Sequence, residues 1–303
     1  MNQVVQYKKL KKHNINNNNT NIITMNQSIS LEKITEVNET ILPIIQGSDN
    51  PINKTVTFEN NNINNNNTYI ITLVDKSGSM ESQGDAPAKR LNEFITDQKG
   101  DVTADVWTFS AHDTCKNIIC NKPASEVKIT QGDMTPDGST AFWSSVCTVF
   151  DSTISRIDKM EIKPNTLIFV LYTDGMENDS RGEYAGNNGR LLTKKKIEYV
   201  QTKYNAIVYL LGANICSKDV GGSIGIPPEY CIDYHHSANG CTNVFRSASD
   251  AISRLRSTNV YEDRKSMAGF REVERTISMK YKTEDYSQPI KRSCGMRSYS
   301  MIN

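Results

Sequence analysis

From position 68 the chain alternates short, nearly uninterrupted apolar runs with longer amphipathic stretches. The runs "YIITLV" (69–74), "VTADVWTFS" (102–110), "NTLIFVLYT" (165–173), "AIVYLLGAN" (206–214) and "CIDYHHS" (231–237) have the length and the β-branched content of strands. Between them, 86–98, 140–159, 190–204 and 241–257 read as helices. The last carries Val244, Phe245, Ala248, Ala251, Ile252 and Leu255 at helical spacing. Continuous apolar strands alternating with amphipathic helices predict an α/β fold with a mostly parallel sheet covered on both faces. The stretch 115–131 reads as a hairpin, which predicts one antiparallel strand beside the second strand. Beyond 260 the chain is polar and basic, with a weak helical pattern over 262–280 and a tail after it.

The pattern is absent before 68. Residues 14–22 ("NINNNNTNI") and 60–67 ("NNNINNNN") are asparagine tracts that cannot bury apolar area to offset their ordering entropy. They bracket a segment, 23–59, with the makings of one short helix or strand and no recognisable chemistry. The expected organisation is an Asn-rich, largely disordered extension over 1–67, one α/β domain over 68–260, and a polar and basic tail over 261–303 with one helix at most. The hydrophobic fraction of 37%, low for a compact chain of 303 residues, follows from these flanks.

Charge and cysteines narrow the function classes. Lys+Arg 35 against Asp+Glu 34 leaves a formal net charge of +1, so no overall field gathers nucleic acid or anionic membrane. The basic cluster "YKKLKKH" (7–13) reads as a solvated tail. Seven scattered cysteines suit a reducing compartment better than a disulfide framework. No apolar leader follows the first Met, and no run approaches the roughly 18 apolar residues of a membrane span. The expected location is therefore intracellular. The sequons at Asn38, Asn53, Asn66 and Asn178 are products of an Asn-rich composition.

Ligands of open α/β sheets bind outside the carboxyl ends of the strands. Asp75 terminates the first strand, with Ser77 and Ser79 following at i+2 and i+4 in a loop that Gly78 can bend. Asp174 and Gly175 stand just past the run at 165–173, and Gly138, Ser139 and Thr140 immediately precede a helix. Singly, these are ordinary caps and turns. Jointly, two carboxylates and three hydroxyls on three loops at one sheet edge make an all-oxygen cluster suited to Mg²⁺, Mn²⁺ or Ca²⁺.

Asp-x-Ser-x-Ser at 75–79, Gly-x-Thr at 138–140 and Thr-Asp-Gly at 173–175, in this order, resemble the von Willebrand factor A domain with its complete metal-ion-dependent adhesion site. The resemblance covers about 69–257. "TDGMENDSRGEYAG" followed by "AIVYLLGAN" and "IGIPPE" is similar, more narrowly, to stand-alone A-domain proteins of bacteria and their phages. It implies a Rossmann-like six-stranded sheet with one antiparallel edge strand between two helix layers. It also implies Ser77, Ser79 and Thr140 as direct ligands, with Asp75 and Asp174 acting mainly through water. Hydroxyl ligands leave the ion under-neutralised and attractive to a partner's carboxylate. The expectation is a metal-dependent protein-interaction module, not an enzyme, whose protein partner presents Asp or Glu. Adaptor service to an AAA+ ATPase is a further form of that role.

Three other chemistries have partial matches in the sequence. "GGSIG" (221–225), with Asp233, His235 and His236 after it, has the order of a hydrolase triad but lacks the flanking strand and helix of a nucleophile elbow. A Mg²⁺-dependent phosphatase with Asp75 as nucleophile needs a second carboxylate two residues on, where Ser77 stands. Cys231, His235, His236 and Cys241 offer zinc-binding atoms, but adjacent strand residues point to opposite faces. Glu177, Asp179 and Arg181 are expected either to be solvated or to border the ion face and help select a partner.

Overall fold

Every residue of Thr68–Asp75 is buried, as befits a strand with neighbours on both edges and helices on both faces. The computed structural model describes residues 67–258 and 261–280. The Asn tract at 14–22, the segment 23–59 and the tail from 281 lie outside the described residues, as does all but the last residue of the tract at 60–67.

Strand β1 (Thr68–Asp75) pairs in parallel with β2 (Val102–Phe109) on one side and β4 (Thr166–Thr173) on the other. Beyond β4 lie β5 (Ile207–Gly212) and β6 (Cys231–Asp233), both parallel, while β3 (Lys116–Pro123) closes the opposite edge antiparallel to β2. The six-stranded order is β3-β2-β1-β4-β5-β6. Helices α1 (Ala86–Thr96) and α5 (Ala238–Ser257) pack together on one face through Phe94 and Phe245, whose ring centroids are 5.6 Å apart. Helices α2 (Phe142–Lys159) and α3 (Gly186–Lys203) cover the other, where Phe150 stacks on Phe169 of β4 at 4.2 Å. This is the Rossmann-like α/β arrangement expected, with its one antiparallel edge strand.

Some elements depart from the pattern. The stretch 115–131 yields one strand, not a hairpin. Val127 and Ile129 are buried like strand residues, yet they pack beside α1, where Asn92 accepts from the Ile129 N–H (2.8 Å) and donates to its carbonyl. A side-chain amide thus does the work of a neighbouring strand. β6 stops at Asp233 instead of running to 237. Asp233 accepts from the Ser217 N–H at 2.7 Å, and Ser237 already caps α5 by accepting from the Gly240 N–H at 3.1 Å. Gly240 is required there, because a Cβ would meet the His235 carbonyl oxygen at 1.7 Å. A short helix, α4 (Ser217–Ser223), was not anticipated in the glycine-containing stretch after β5.

The pattern at 262–280 resolves into two helices, α6 (Tyr261–Ala268) and α7 (Glu272–Ser278), with buried Phe270 between them. Arg254 of α5 ties both together, donating to Glu274 and to the Gly269 carbonyl. Tyr209 of β5 donates to the Ala268 carbonyl at 2.8 Å. The packed region therefore continues beyond 260.

Within β2, Asp105 is fully buried and fully satisfied. It accepts from Tyr69 Oη (2.8 Å), from the Asn121 N–H (2.7 Å) and from the Arg156 guanidinium, which reaches it from α2. Removing one partner of such a pair strands a buried charge. Arg156→Ala is therefore expected to lose about 3–5 kcal/mol in urea denaturation. The double replacement Asp105→Leu with Arg156→Met should lose much less.

Candidate metal centre

The carboxyl ends of β1 and β4 lie side by side, so the parallel register brings Asp75 against Thr173 and the residue after it, Asp174. Both carboxylates are 1% exposed. Asp75 is held at both oxygens: the Ser77 N–H donates to Oδ1 and Thr173 Oγ1 to Oδ2, each at 2.7 Å. Ser77 Oγ and Ser79 Oγ stand 3.1 Å apart, and Ser79 Oγ donates to Asp174 Oδ1 at 2.7 Å. A chain of polar contacts thus runs from Asp75 through both serines to Asp174.

The loop before α2 closes on this chain through the backbone. The Gly78 N–H donates to the Gly138 carbonyl at 2.9 Å, and the Asp137 N–H to the Lys76 carbonyl at 2.8 Å. Gly138 has φ +68°, and a Cβ there would press on that of Ala111 at 3.1 Å. Thr140 is buried, and its Oγ1 lies 3.7 Å from where a Cβ of Gly175 would stand, beside Asp174. The five residues expected to hold a cation accordingly sit on three loops at one edge of the sheet.

Sequence reasoning missed two supports. Gln83, buried under the Ser77–Ser79 loop, accepts from Tyr172 Oη at 2.5 Å and donates to Tyr234 Oη at 3.2 Å, bridging two stacked rings. Its only signal is an apolar environment that the linear sequence does not display. His236 reaches over from the segment before α5, placing Nε2 2.7 Å from Asp174 Oδ2, an oxygen that receives no hydrogen bond. No motif joins residues so far apart in sequence.

The loop 176–181 is bonded into the fold and is not simply solvated. Glu177 accepts from the N–H groups of Asp179 (2.8 Å), Ser180 (2.6 Å) and, in the first turn of α2, Trp143 (2.8 Å). Asn178 accepts from the Thr140 N–H at 2.8 Å, and Asp179 from Ser139 Oγ at 2.7 Å and the His112 N–H at 2.9 Å. Those bonds, the one from the His112 N–H first, hold the Asp179 carboxyl down at about 2. The segment thereby caps α2, leaving its N-terminus without a cap of its own, and clamps the loop bearing Thr140. Arg181 is exposed and pairs with Asp179 at 2.9 Å.

The competing chemistries find no constellation. Ser223 ends α4 and donates to the Val220 carbonyl, while Asp233 is occupied by the Ser217 N–H. Cys231 and Cys241 are buried thiols, each pushed up to about 12 by burial, and His236 is engaged at Asp174. No group of three or more His, Cys, Asp or Glu side chains converges among the described residues.

The donor set fits a hard cation. Among the described residues neither Asp75 nor Asp174 pairs with a lysine or arginine, and the surrounding donors are hydroxyls and backbone amides. Burial raises the Asp75 carboxyl to about 6, against its hydrogen bonds from Thr173 and Ser77, and the charge of Asp174 pushes it the same way. A positive ion among these oxygens would offset that cost.

No protein-family model and no curated protein matches the chain. Among solved structures it is similar to proximal thread matrix protein 1 of the mussel byssus (17% identity, TM-score 0.44, covering 61% of this chain and 47% of that one). It is also similar to the pilus adhesin SpaC of Lactobacillus rhamnosus GG (15%, 0.48, 62% and 31%) and to a von Willebrand factor type A protein of Catenulispora acidiphila (14%, 0.40, 60% and 42%). The chain thus spans less than half the length of each. At these identities and scores the likeness carries no functional information.

A carboxyl raised by burial binds its proton more tightly folded than unfolded, so its stabilising contribution is present at low pH and declines as pH rises toward the folded value. In EDTA the melting temperature is therefore expected to fall between about pH 4 and about pH 6. Asp75→Asn should flatten that decline, as differential scanning fluorimetry would show.

Proposed function

We propose that this chain is an A-type domain that recognises a protein partner through a divalent cation. Ser77, Ser79 and Thr140 would hold the ion directly, and Asp75 and Asp174 would act mainly through water. The observation that carries the reading is the continuous contact chain from Asp75 through Ser77 and Ser79 to Asp174 at the open edge of the sheet. Mg²⁺ suits a compact oxygen site that retains waters, with Mn²⁺ and Ca²⁺ as alternatives. The ion, when bound, supplies Lewis acidity toward an incoming carboxylate. The protein's part is to hold the hydroxyls at fixed spacing, to keep both carboxylates buried behind them, and to present the edge to a partner bearing Asp or Glu.

Recognition, not turnover, is the role this arrangement supports. Both oxygens of Asp75 are occupied by Ser77 and Thr173, which suits a positioning group better than a nucleophile. Adaptor service to an AAA+ ATPase is compatible with the same surface. The free thiols of Cys115, Cys120, Cys147, Cys231 and Cys241 favour a reducing, intracellular setting. No helix among the described residues is long and apolar enough to cross a membrane.

Isothermal titration with MgCl₂ is expected to show one site in the wild type and none in folded Asp75→Ala. Equal affinity in the two proteins would overturn the assignment. Partner capture from cell extract should require the ion and fail both in EDTA and in Thr140→Ala. Metal-dependent hydrolysis of generic phosphate or ester substrates, abolished by Thr140→Ala, would replace recognition with catalysis.

A further inference from the structure

A cavity of about 890 Å³ opens beside the candidate metal centre, between the N-termini of α2 and α3 and the face of α4. Its volume falls in the range of true ligand sites, roughly 300–1,000 Å³. Phe142 and Trp143 of α2, Ile215 after β5 and Val220 of α4 form apolar walls, and Met176, 59% exposed, stands at the lining as an uncovered apolar side chain. Thr173 and Gly175 also line it, so the cavity and the ion site share the end of β4 on either side of Asp174.

Apart from Asp219, which is exposed at the lining, the charged groups in the walls are already engaged. Glu177 accepts from Trp143, Asp179 and Ser180, Thr173 donates to Asp75, and Arg190 donates to the Ser223 carbonyl and to Asn187. A polar occupant would surrender its hydration with few groups to replace it, whereas an apolar one gains from burial. Gly175, in the cavity lining, carries no side chain, and a Cβ there would stand 3.7 Å from Thr140 Oγ1 of the candidate ion site.

From this we propose that the cavity is the second half of a bipartite recognition site. The occupant is a large apolar or aromatic side chain on the same partner segment that offers its carboxylate to the ion. The proposal rests on the recognition reading above and adds the chemistry of the partner: an acidic residue with Phe, Trp, Leu or Met one or two positions away. In an extended segment, side chains two apart share a face, which lets one strand of peptide serve both sites.

The test is an array of decapeptides, each carrying one fixed Asp, Glu or Asn with all residue types varied at the flanking positions. It is probed with full-length protein in Mg²⁺ and in EDTA. Expected is capture of Asp and Glu peptides in Mg²⁺, at least about tenfold stronger with a large apolar residue at a fixed offset than with Ala there. Val220→Trp, which projects a large ring into the cavity, should weaken the apolar preference and leave the acid requirement. Met176→Glu, at an exposed position where folding is not at risk, should weaken the preference in the same way. Acid-dependent capture without an apolar preference, or a preference that neither variant changes, overturns the proposal while sparing the metal reading. Apolar capture that both variants reduce but that needs neither acid nor Mg²⁺ keeps the cavity as a binding site and removes its link to the ion. Absence of all capture by protein that binds Mg²⁺ in titration overturns it outright.

Discussion

Two carboxylates buried side by side, with no lysine or arginine paired to them among the described residues, set the terms for this end of the molecule. Asp75 and Asp174 are drawn together by the parallel pairing of β1 and β4, and their proximity in a dry environment is costly unless neighbouring groups compensate. The compensation consists of hydroxyls and amides. Thr173, Ser77 and Ser79 each point a donor at a carboxylate, and the Gln83 bridge between Tyr172 and Tyr234 holds the serine loop from beneath. Pairwise backbone bonds then lock the loop before α2 against the same loop.

Asp105, on the neighbouring strand, gives the contrast. It is as deeply buried, yet a guanidinium, a phenol and a backbone N–H close around it and leave it nothing more to bind. Its chemistry is complete inside the fold. Asp174 is incomplete, because one oxygen receives no hydrogen bond and only the imidazole of His236 stands near. The difference between the two is that between a buried charge whose acceptors are filled and one with an acceptor left over.

The charged loop after β4 shows how support of the site is distributed. Glu177, Asn178 and Asp179 lie in one short segment, and each carries a hydrogen bond to the loop or helix that follows Gly138. A segment whose sequence suggested either a solvated loop or a border of the ion face also clamps the loop that bears Thr140. Its carboxylates face the N-terminus of α2, where N–H groups without intrahelical partners and the helix dipole both favour them.

The alternation of apolar runs with amphipathic stretches was enough to determine the α/β class, the order of the main elements and the carboxyl-end positions of Asp75 and Asp174. Those features depend on local periodicity and on a general rule of sheet geometry, both of which a linear pattern carries. The short extent of β6, the lone strand β3, helix α4 and the break at Phe270 depended on particular contacts: Asn92 reading the backbone of Ile129, Ser237 capping α5, and Arg254 joining Gly269 to Glu274. His236 at Asp174, Gln83 between two tyrosines, and the cavity between α2, α3 and α4 are likewise invisible along the chain. Each joins residues tens to hundreds of positions apart, and only the packing of the helices on the sheet brings them within reach.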